Sequence, residues 1–189
     1  MAEGMRGVMV GGDEEYMRMA LGEASLAAQE GEVPIGAVVV YDPARDPASP
    51  HFVSPEAPRA ALDTAPEPRV IARAHNRREH DEDPSAHAEF SAMLAAAREL
   101  CHWRLSGCTV YVTLEPCLMC AGLMVNSRVD RCVFGAADPK GGALGSLYDL
   151  SCDGRLNHGF DVTRGVLAQE CSQLLRDFFR ERRAARRRG

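Results

Sequence analysis

Apolar residues recur along the chain at two different spacings, and these spacings predict where helices and strands lie. A helical spacing begins at Asp13 and ends near Gly31, and another begins at about Val166. Two further helices are predicted over 83–100 and from 115 to about 126, because each start combines an acidic capping residue with a proline. Short β-branched or apolar runs predict strands at 34–41, 69–75, 108–114, 131–134 and 160–163. Helices that alternate with strands indicate an α/β fold with helices on both faces of a sheet.

The length of 189 residues fits a single domain, which we place at residues 13–183. We expect residues 1–12 and 184–189 to be flexible tails. Residues 42–68 contain seven of the 11 prolines and one aromatic residue, Phe52. Such a composition buries little apolar surface, so it predicts a surface insertion that is at least partly flexible.

The composition is typical of a globular protein, with 46% hydrophobic and 26% charged residues. No apolar run approaches the ~18 residues that a membrane span needs, and the N-terminus lacks the features of a secretory signal. Seven cysteines is an odd number, which argues against a disulfide framework. We therefore expect a cytoplasmic protein whose thiols are free or bound to metal.

Positive charge is concentrated at the C-terminal end of the chain. Residues 176–189 hold seven arginines against two acidic residues, a net +5, so the remainder must carry −10 to give the total of −5. A basic end on an acidic body favours an anionic partner such as a nucleic acid. A solvated helix end explains the same charges and stays open as the alternative.

Three residues with metal-ligating side chains lie close to two predicted helix starts. His87 follows the start at 83, and Cys117 and Cys120 follow the start at 115. Two thiolates one helical turn apart lie on one face of a helix, and an imidazole from a neighbouring helix can supply a third ligand. A lone C-x-x-C motif is a weak signal, but its combination with this histidine predicts a zinc site.

Three protein ligands leave one tetrahedral position open, which is typical of catalytic zinc. Glu89 lies two residues from His87 and is not needed as a ligand, so it is the candidate acid and base for proton transfer at neutral pH. The alternative is a closed structural zinc knuckle. It would need a fourth ligand from the other cysteines, which are Cys101, Cys108, Cys132, Cys152 and Cys171.

The segments His87-Ala88-Glu89 and Pro116-Cys117-Leu118-Met119-Cys120 match the H-x-E…P-C-x-x-C signature of zinc nucleobase deaminases. Seven segments resemble more closely the bacterial tRNA-specific adenosine deaminases of the cytidine and deoxycytidylate deaminase superfamily: 32–38, 76–77, 83–89, 111–117, 131–135, 145–147 and 177–180. The resemblance covers residues 13–183 without the insertion at 42–68. The long Thr-Leu-Glu-Pro-Cys-Leu-Met-Cys context at 113–120 and the Phe-Phe-Arg ending at 178–180 point to the tRNA branch.

The resemblance implies a cytidine-deaminase-like, three-layer α/β/α fold around a five-stranded mixed sheet. It implies zinc-dependent hydrolysis of adenosine to inosine at the wobble position of a tRNA anticodon loop, in a homodimer with one catalytic Zn²⁺ per subunit. His87, Cys117 and Cys120 would hold the zinc, and Glu89 would move the protons. We expect no membrane or DNA partner.

The resemblance also implies a set of substrate contacts. Residues that match the family's nucleotide and RNA contacts are Val33, Asn76, Ala88, Pro116, Asp138, Asn157, His158, Phe178, Phe179 and Arg182. Phe178 and Phe179 point about 100° apart on a helix, so one can pack inward while the other stacks on an anticodon base.

Two other functions stay open. A deaminase acting on guanine, cytosine or dCMP would share the zinc core, but a small-molecule enzyme has no evident need for a basic, aromatic C-terminal helix. A non-catalytic, zinc-stabilised RNA-binding module would bind RNA without forming inosine. An assay of inosine formation on an anticodon stem-loop separates the three functions.

Overall fold

A single five-stranded sheet organises residues 12–187, the part of the chain that the computed structural model describes. The strands are β1 (Gly36–Tyr41), β2 (Arg69–His75), β3 (Cys108–Leu114), β4 (Arg131–Ala136) and β5 (Asp161–Arg164). Their order in the sheet is β2-β1-β3-β4-β5. β1 is antiparallel to β2 and β3, whereas β3, β4 and β5 are parallel. The predicted mixed sheet of five strands is thus confirmed.

Four α-helices cover the two faces of this sheet. They are α1 (Asp13–Gln29), α2 (Ala88–Glu99), α3 (Leu118–Ser127) and α4 (Ala168–Arg186). Successive residues of β1 point to opposite faces. Val38 packs in a core cluster with Met17 of α1 and Cys171 of α4, whereas Val39 packs in another with residues of α2 and α3. The three-layer α/β/α arrangement is therefore confirmed.

Helices α2 and α3 begin later than the sequence predicts. Asp83 does not start a helix: its Oδ1 accepts hydrogen bonds from the backbone N–H and the hydroxyl of Ser85, but the chain makes only an isolated turn there. His87 is the N-cap of α2 and Cys117 is the N-cap of α3, and both have extended backbone conformations. The predicted starts at 83 and 115 are wrong. An N-cap residue leaves the helical path, which lets its side chain reach beyond the helix end.

Residues 42–68 form the connection between the adjacent antiparallel strands β1 and β2. The backbone N–H of Asp42 donates to the carbonyl of Gly107, and that of Val53 donates to the carbonyl of Ala44. A 3₁₀ helix (Arg59–Thr64) precedes β2. The insertion therefore lengthens a hairpin connection and leaves the strand order unchanged. Its flexibility stays a prediction.

One edge of the sheet collects the segments that carry the candidate chemistry. The carboxyl ends of β3 and β4 lie there, together with the end of β2 and the start of β1, as the strand directions require. In open α/β sheets, ligands bind outside the carboxyl ends of parallel strands. None of the helices in residues 12–187 combines the length and apolar character needed to cross a membrane.

Candidate metal centre and active site

The three predicted metal ligands meet at this edge of the sheet. His87 Nδ1 lies 3.7 Å from the Sγ atoms of both Cys117 and Cys120. All three ligand atoms lie within 4.8 Å of one another. The two N-cap positions bring an imidazole and a thiol together from two helices, and the first turn of α3 adds the second thiol.

These distances and donor types fit a zinc ion. Zinc binds imidazole nitrogen at about 2.0–2.1 Å and thiolate sulfur at about 2.3 Å, so tetrahedral ligands lie roughly 3.5–3.8 Å apart. In residues 12–187, the group of candidate ligands consists of these three side chains. Three other cysteines are buried in the core (Cys108, Cys132 and Cys171), and two are exposed (Cys101 and Cys152). The donor set is the one that catalytic zinc sites use.

The three ligands are coupled through short contacts. The hydrogen bond with Cys120 lowers the pKa of Cys117 to about 3, and the same bond raises the pKa of Cys120. The hydrogen bond with Cys117 raises the pKa of His87. A thiolate at Cys117 is also favoured by its place at a helix N-terminus, where backbone N–H groups point outward.

Glu89 lies in the first turn of α2, beside these ligands. It is 4% exposed, and burial raises its pKa to about 7. A carboxyl group with a pKa near 7 can both accept and release a proton at neutral pH. The predicted acid and base is therefore next to the metal ligands, in an environment suited to proton transfer.

Four of the predicted nucleotide contacts lie at the same edge of the sheet. Ala88 is the buried first residue of α2, and Pro116 is buried directly before Cys117, with its carbonyl accepting from the N–H of Ala143. Val33 and Asn76 flank the start of β1 and the end of β2. Asn76 is buried, whereas Val33 is half-buried. The structure thus brings these four residues to the metal centre's edge of the sheet, and their contacts with a nucleotide stay predictions.

Glu115 has a function that the sequence pattern did not show. It is 3% exposed and accepts hydrogen bonds from the backbone N–H groups of Asp138, Leu144 and Ser146 and from the Ser146 hydroxyl. Burial alone would raise the pKa of Glu115, but these hydrogen bonds hold it below its ordinary value. The carboxylate anchors the loop that carries Asp138, and the helix-capping role predicted for it is wrong. In the sequence, the feature that marked Glu115 was its position as an acidic residue directly before Pro116, which also fits a helix cap.

The two adjacent phenylalanines of α4 separate as the helical geometry predicts. Phe178 is buried against the rest of the domain, whereas Phe179 is 41% exposed. The guanidinium carbon of Arg182 lies 5.5 Å from the centroid of the Phe178 ring. Phe179 is therefore the exposed member of the pair, and Arg182 lies against the ring of the other member, Phe178.

Asn157 and His158 lie away from the metal centre. They directly precede β5, and they contact residues that precede β4, with the Asn157 Oδ1 accepting from Arg128 and His158 Nε2 bonded to the carbonyl of Val129. Because β3, β4 and β5 are parallel, the starts of β4 and β5 lie at the edge opposite the metal ligands. Within one copy of the domain, Asn157 and His158 therefore do not lie at the metal centre. Their contact with RNA stays a prediction.

The chain is similar to several characterised deaminases. The MafB19-like deaminase family matches residues 52–183. A tRNA-specific adenosine deaminase of Bacillus subtilis (strain 168) is 46% identical over 171 residues, which cover 90% of this chain and 91% of that protein. A tRNA-specific adenosine deaminase of Haemophilus influenzae is 43% identical over 171 residues, which cover 90% of this chain and 85% of that protein.

Solved structures agree with the sequence relatives. A structure from studies of A-to-I editing by tRNA:A34 deaminases at the wobble position of transfer RNA has a TM-score of 0.68 and 36% identity, and the match covers 85% of this chain and 98% of that one. A guanine deaminase from Nitrosomonas europaea has a TM-score of 0.63 at 23% identity, covering 92% of this chain and 86% of that one. At that identity the second likeness shows the fold alone.

Proposed function

The chain belongs to the tRNA-specific adenosine deaminase family, and from this premise we propose that it hydrolyses adenosine to inosine at the wobble position of a tRNA anticodon loop. One observation carries the proposal. The side chains of His87, Cys117 and Cys120 converge beside the buried carboxyl group of Glu89, at the edge where parallel strands end. This arrangement is suited to activating water and moving protons.

Glu89 is the proton carrier of the proposed reaction. When bound by its three ligands, zinc supplies the Lewis acid that makes water a nucleophile near neutral pH. Glu89 accepts a proton as the water oxygen bonds to C6 of adenine, and donates it to N1 of the ring. Glu89 then accepts the remaining proton from the hydroxyl group on C6 and donates it to the exocyclic nitrogen, so that C6 becomes a carbonyl carbon as the C6–N bond breaks. Adenosine and water become inosine and ammonia.

An anticodon loop suits the chemistry of the site and the exposed side chains of α4. A base must leave its stack to reach such a site, and bases in unpaired RNA loops do so readily. Phe179 offers an exposed ring for stacking, and Arg182, Arg183 and Arg186 offer exposed cations for phosphates on the same helix. Such a substrate, together with free thiols, supports a cytoplasmic location for the proposed enzyme.

We expect the zinc-loaded protein to form inosine on an anticodon stem-loop with a wobble adenosine. Mass spectrometry of the digested RNA measures inosine, and ammonia release measures turnover on free adenosine, guanine, cytosine and dCMP. A stem-loop with guanosine at the wobble position and adenosines elsewhere is the matched control. Turnover of a free base without inosine on RNA would support the small-molecule alternative. Zinc and RNA binding without any turnover would support the binding module.

The arginines at the end of the chain are expected to contribute to tRNA binding through phosphate contacts. Deleting residues 184–189 removes three arginines, so the slope of log K against log salt should flatten by up to about 2. Filter binding at several salt concentrations measures this slope. Arg69→Ala is the control, because Arg69 is exposed at the start of β2, which is the outer strand farthest in the sheet from β5 and begins at the edge opposite the metal centre. Equal slopes for the wild type and the deletion variant would show that residues 184–189 make no phosphate contacts with the tRNA.

A homodimer is proposed as the working form. Large apolar side chains are exposed on the α2–α3 layer and in the loop packed beside it, namely Leu94, Leu118, Leu147 and Tyr148. An apolar surface of this kind next to the site favours burial against a second copy. Sedimentation equilibrium should give twice the chain mass of 20.5 kDa. Leu118→Glu should shift the protein toward the monomer, and a monomeric wild type would contradict the proposal.

A further inference from the structure

A second buried carboxylate, Glu32, lies beside Asn76 and takes no part in the proposed proton transfers. Glu32 is 2% exposed and directly precedes Val33. Its Oε2 accepts a hydrogen bond from Asn76 Nδ2 at 2.8 Å, and its Oε1 accepts one from the backbone N–H of His80 at 2.7 Å. Both carboxylate oxygens are therefore paired with donors from the segment that connects β2 to α2.

The carboxylate determines which end of the Asn76 amide faces it. A carboxylate only accepts hydrogen bonds, so the NH₂ group must face Glu32 and the Oδ1 atom must point elsewhere. The backbone around the amide is also held in place. The N–H of Asn76 donates to the carbonyl of Ile35 at 2.9 Å, and the N–H of Arg77 donates to the carbonyl of Ala86 at 3.0 Å. The chain therefore keeps the amide at one place, and Glu32 sets its orientation.

The Oδ1 atom of Asn76 is open to a ligand. Within residues 12–187, His75 Nε2 is the only fully buried side-chain nitrogen or oxygen without a hydrogen-bond partner. No group in the same part of the chain donates to Asn76 Oδ1, so this atom reaches solvent although the residue is only 5% exposed. An unpaired acceptor on a buried residue selects a ligand that offers a donor there, such as an amino or hydroxyl group.

We propose that Glu32 is a positioning residue, which holds the Asn76 amide so that Oδ1 accepts a hydrogen bond from the nucleotide. The inference rests on the proposed function, because it assigns Asn76 to the nucleotide site of that reaction. Without the carboxylate, the amide could rotate by 180° and present its NH₂ group to the same donor. A donor facing a donor would lose the contact and leave both groups unsatisfied.

A reciprocal exchange of acid and amide tests this pairing. Glu32→Gln keeps one oxygen for His80 but turns an NH₂ group toward Asn76, so kcat/KM on the stem-loop should fall roughly 10- to 100-fold. Asn76→Asp sets two carboxylates against each other and should cause a similar or larger loss. The double substitution Glu32→Gln/Asn76→Asp again pairs one donor with one acceptor and keeps an open Oδ1. It should be roughly tenfold more active than Asn76→Asp alone.

Losses that simply multiply in the double variant would overturn the inference, because they are the result expected for two unrelated structural roles. Glu79→Gln is the matched control, since Glu79 is exposed in the same connection and pairs only with the neighbouring Arg78. This control should keep wild-type kcat/KM. Zinc content and the melting temperature of every variant report whether the fold and the metal centre are intact.

A second measurement is independent of activity. The chain has three asparagines, Asn76, Asn126 and Asn157, so labelling with ¹⁵N-asparagine gives three side-chain amide signals. Asn126 and Asn157 are exposed. We expect the Asn76 amide protons to exchange with solvent more slowly than these two, and only the Asn76 signal to shift strongly in Glu32→Gln. The positioning role would be refuted if the Asn76 amide protons exchanged as fast as those of the other two asparagines. It would also be refuted if the Asn76 signal did not shift in Glu32→Gln. A wild type that forms no inosine but shows a protected, Glu32-dependent Asn76 amide would refute the proposed reaction alone.

Discussion

Glu89→Ala is expected to lower kcat for inosine formation by about 10³-fold or more while the protein keeps its zinc. General acid and base catalysis commonly contributes ~10²–10⁴-fold, and here one carboxyl group serves every proton transfer of the reaction. No other acidic side chain lies in the first turn of α2. Single-turnover assays on the stem-loop give the rate of the chemical step, and metal analysis of the same samples gives the zinc content.

Glu89→Gln and Glu99→Ala sharpen this test. Glu89→Gln keeps the shape of the buried side chain but cannot carry a proton, so it should lose as much activity as the alanine variant. Glu99 lies in the last turn of the same helix and is exposed, so Glu99→Ala should keep wild-type turnover. Near wild-type kcat in a zinc-loaded Glu89→Ala protein would show that Glu89 does not carry the protons of the reaction.

Replacing Cys117 or Cys120 by serine should abolish both zinc binding and activity and should also destabilise the domain. Each substitution removes one of three ligands whose donor atoms meet between two helix starts. When the free metal concentration is about 1,000-fold above Kd, metal binding stabilises a fold by about 4 kcal/mol. For a domain of this size, loss of that amount lowers Tm by roughly 8–16 °C. Metal analysis and thermal melting with and without a chelator measure the two effects.

Cys101→Ser and Cys152→Ser are the controls for the ligand substitutions, because both cysteines are exposed and lie outside the ligand group. They should keep one zinc per chain and the wild-type Tm. The chelator should lower the Tm of these controls and of the wild type, but it should leave Cys117→Ser and Cys120→Ser unchanged. Stoichiometric zinc in Cys117→Ser or Cys120→Ser would show that the ligand set is wrong.

The group of candidate metal ligands could be predicted because its signals are local in the sequence. Cys117 and Cys120 are three residues apart at a helix start, so the spacing alone predicts that their thiols lie close together. Only the pairing with His87 needed long-range information, and the family signature supplied it. The strands were predictable for a similar reason, since β3 is a short run rich in β-branched and apolar residues, bounded by Gly107 and Pro116.

The helix starts were predicted wrongly because the contacts of the folded protein override the local preference of an acidic residue and a proline for a helix start. Asp83 and Glu115 each precede a proline, which is a typical start signal. In the folded protein, Glu115 instead accepts hydrogen bonds from a loop more than twenty residues away, and the helix begins after Cys117. A carboxylate that accepts hydrogen bonds from residues far along the chain leaves no periodic pattern in the sequence. The residues next to it therefore cannot show this role.

The amino-acid sequence by itself determined the alternation of helices and strands, the chemistry of the metal ligands and the acid beside them. These features depend on spacing and residue type, which are properties of short segments. Only the tertiary structure decided that Phe179 rather than Phe178 is exposed, that Asn157 and His158 lie at the far edge of the sheet, and that the Asn76 amide donates to the buried Glu32. Burial and long-range hydrogen bonds arise when segments pack against one another, and the energy of an unpaired buried group then selects one arrangement.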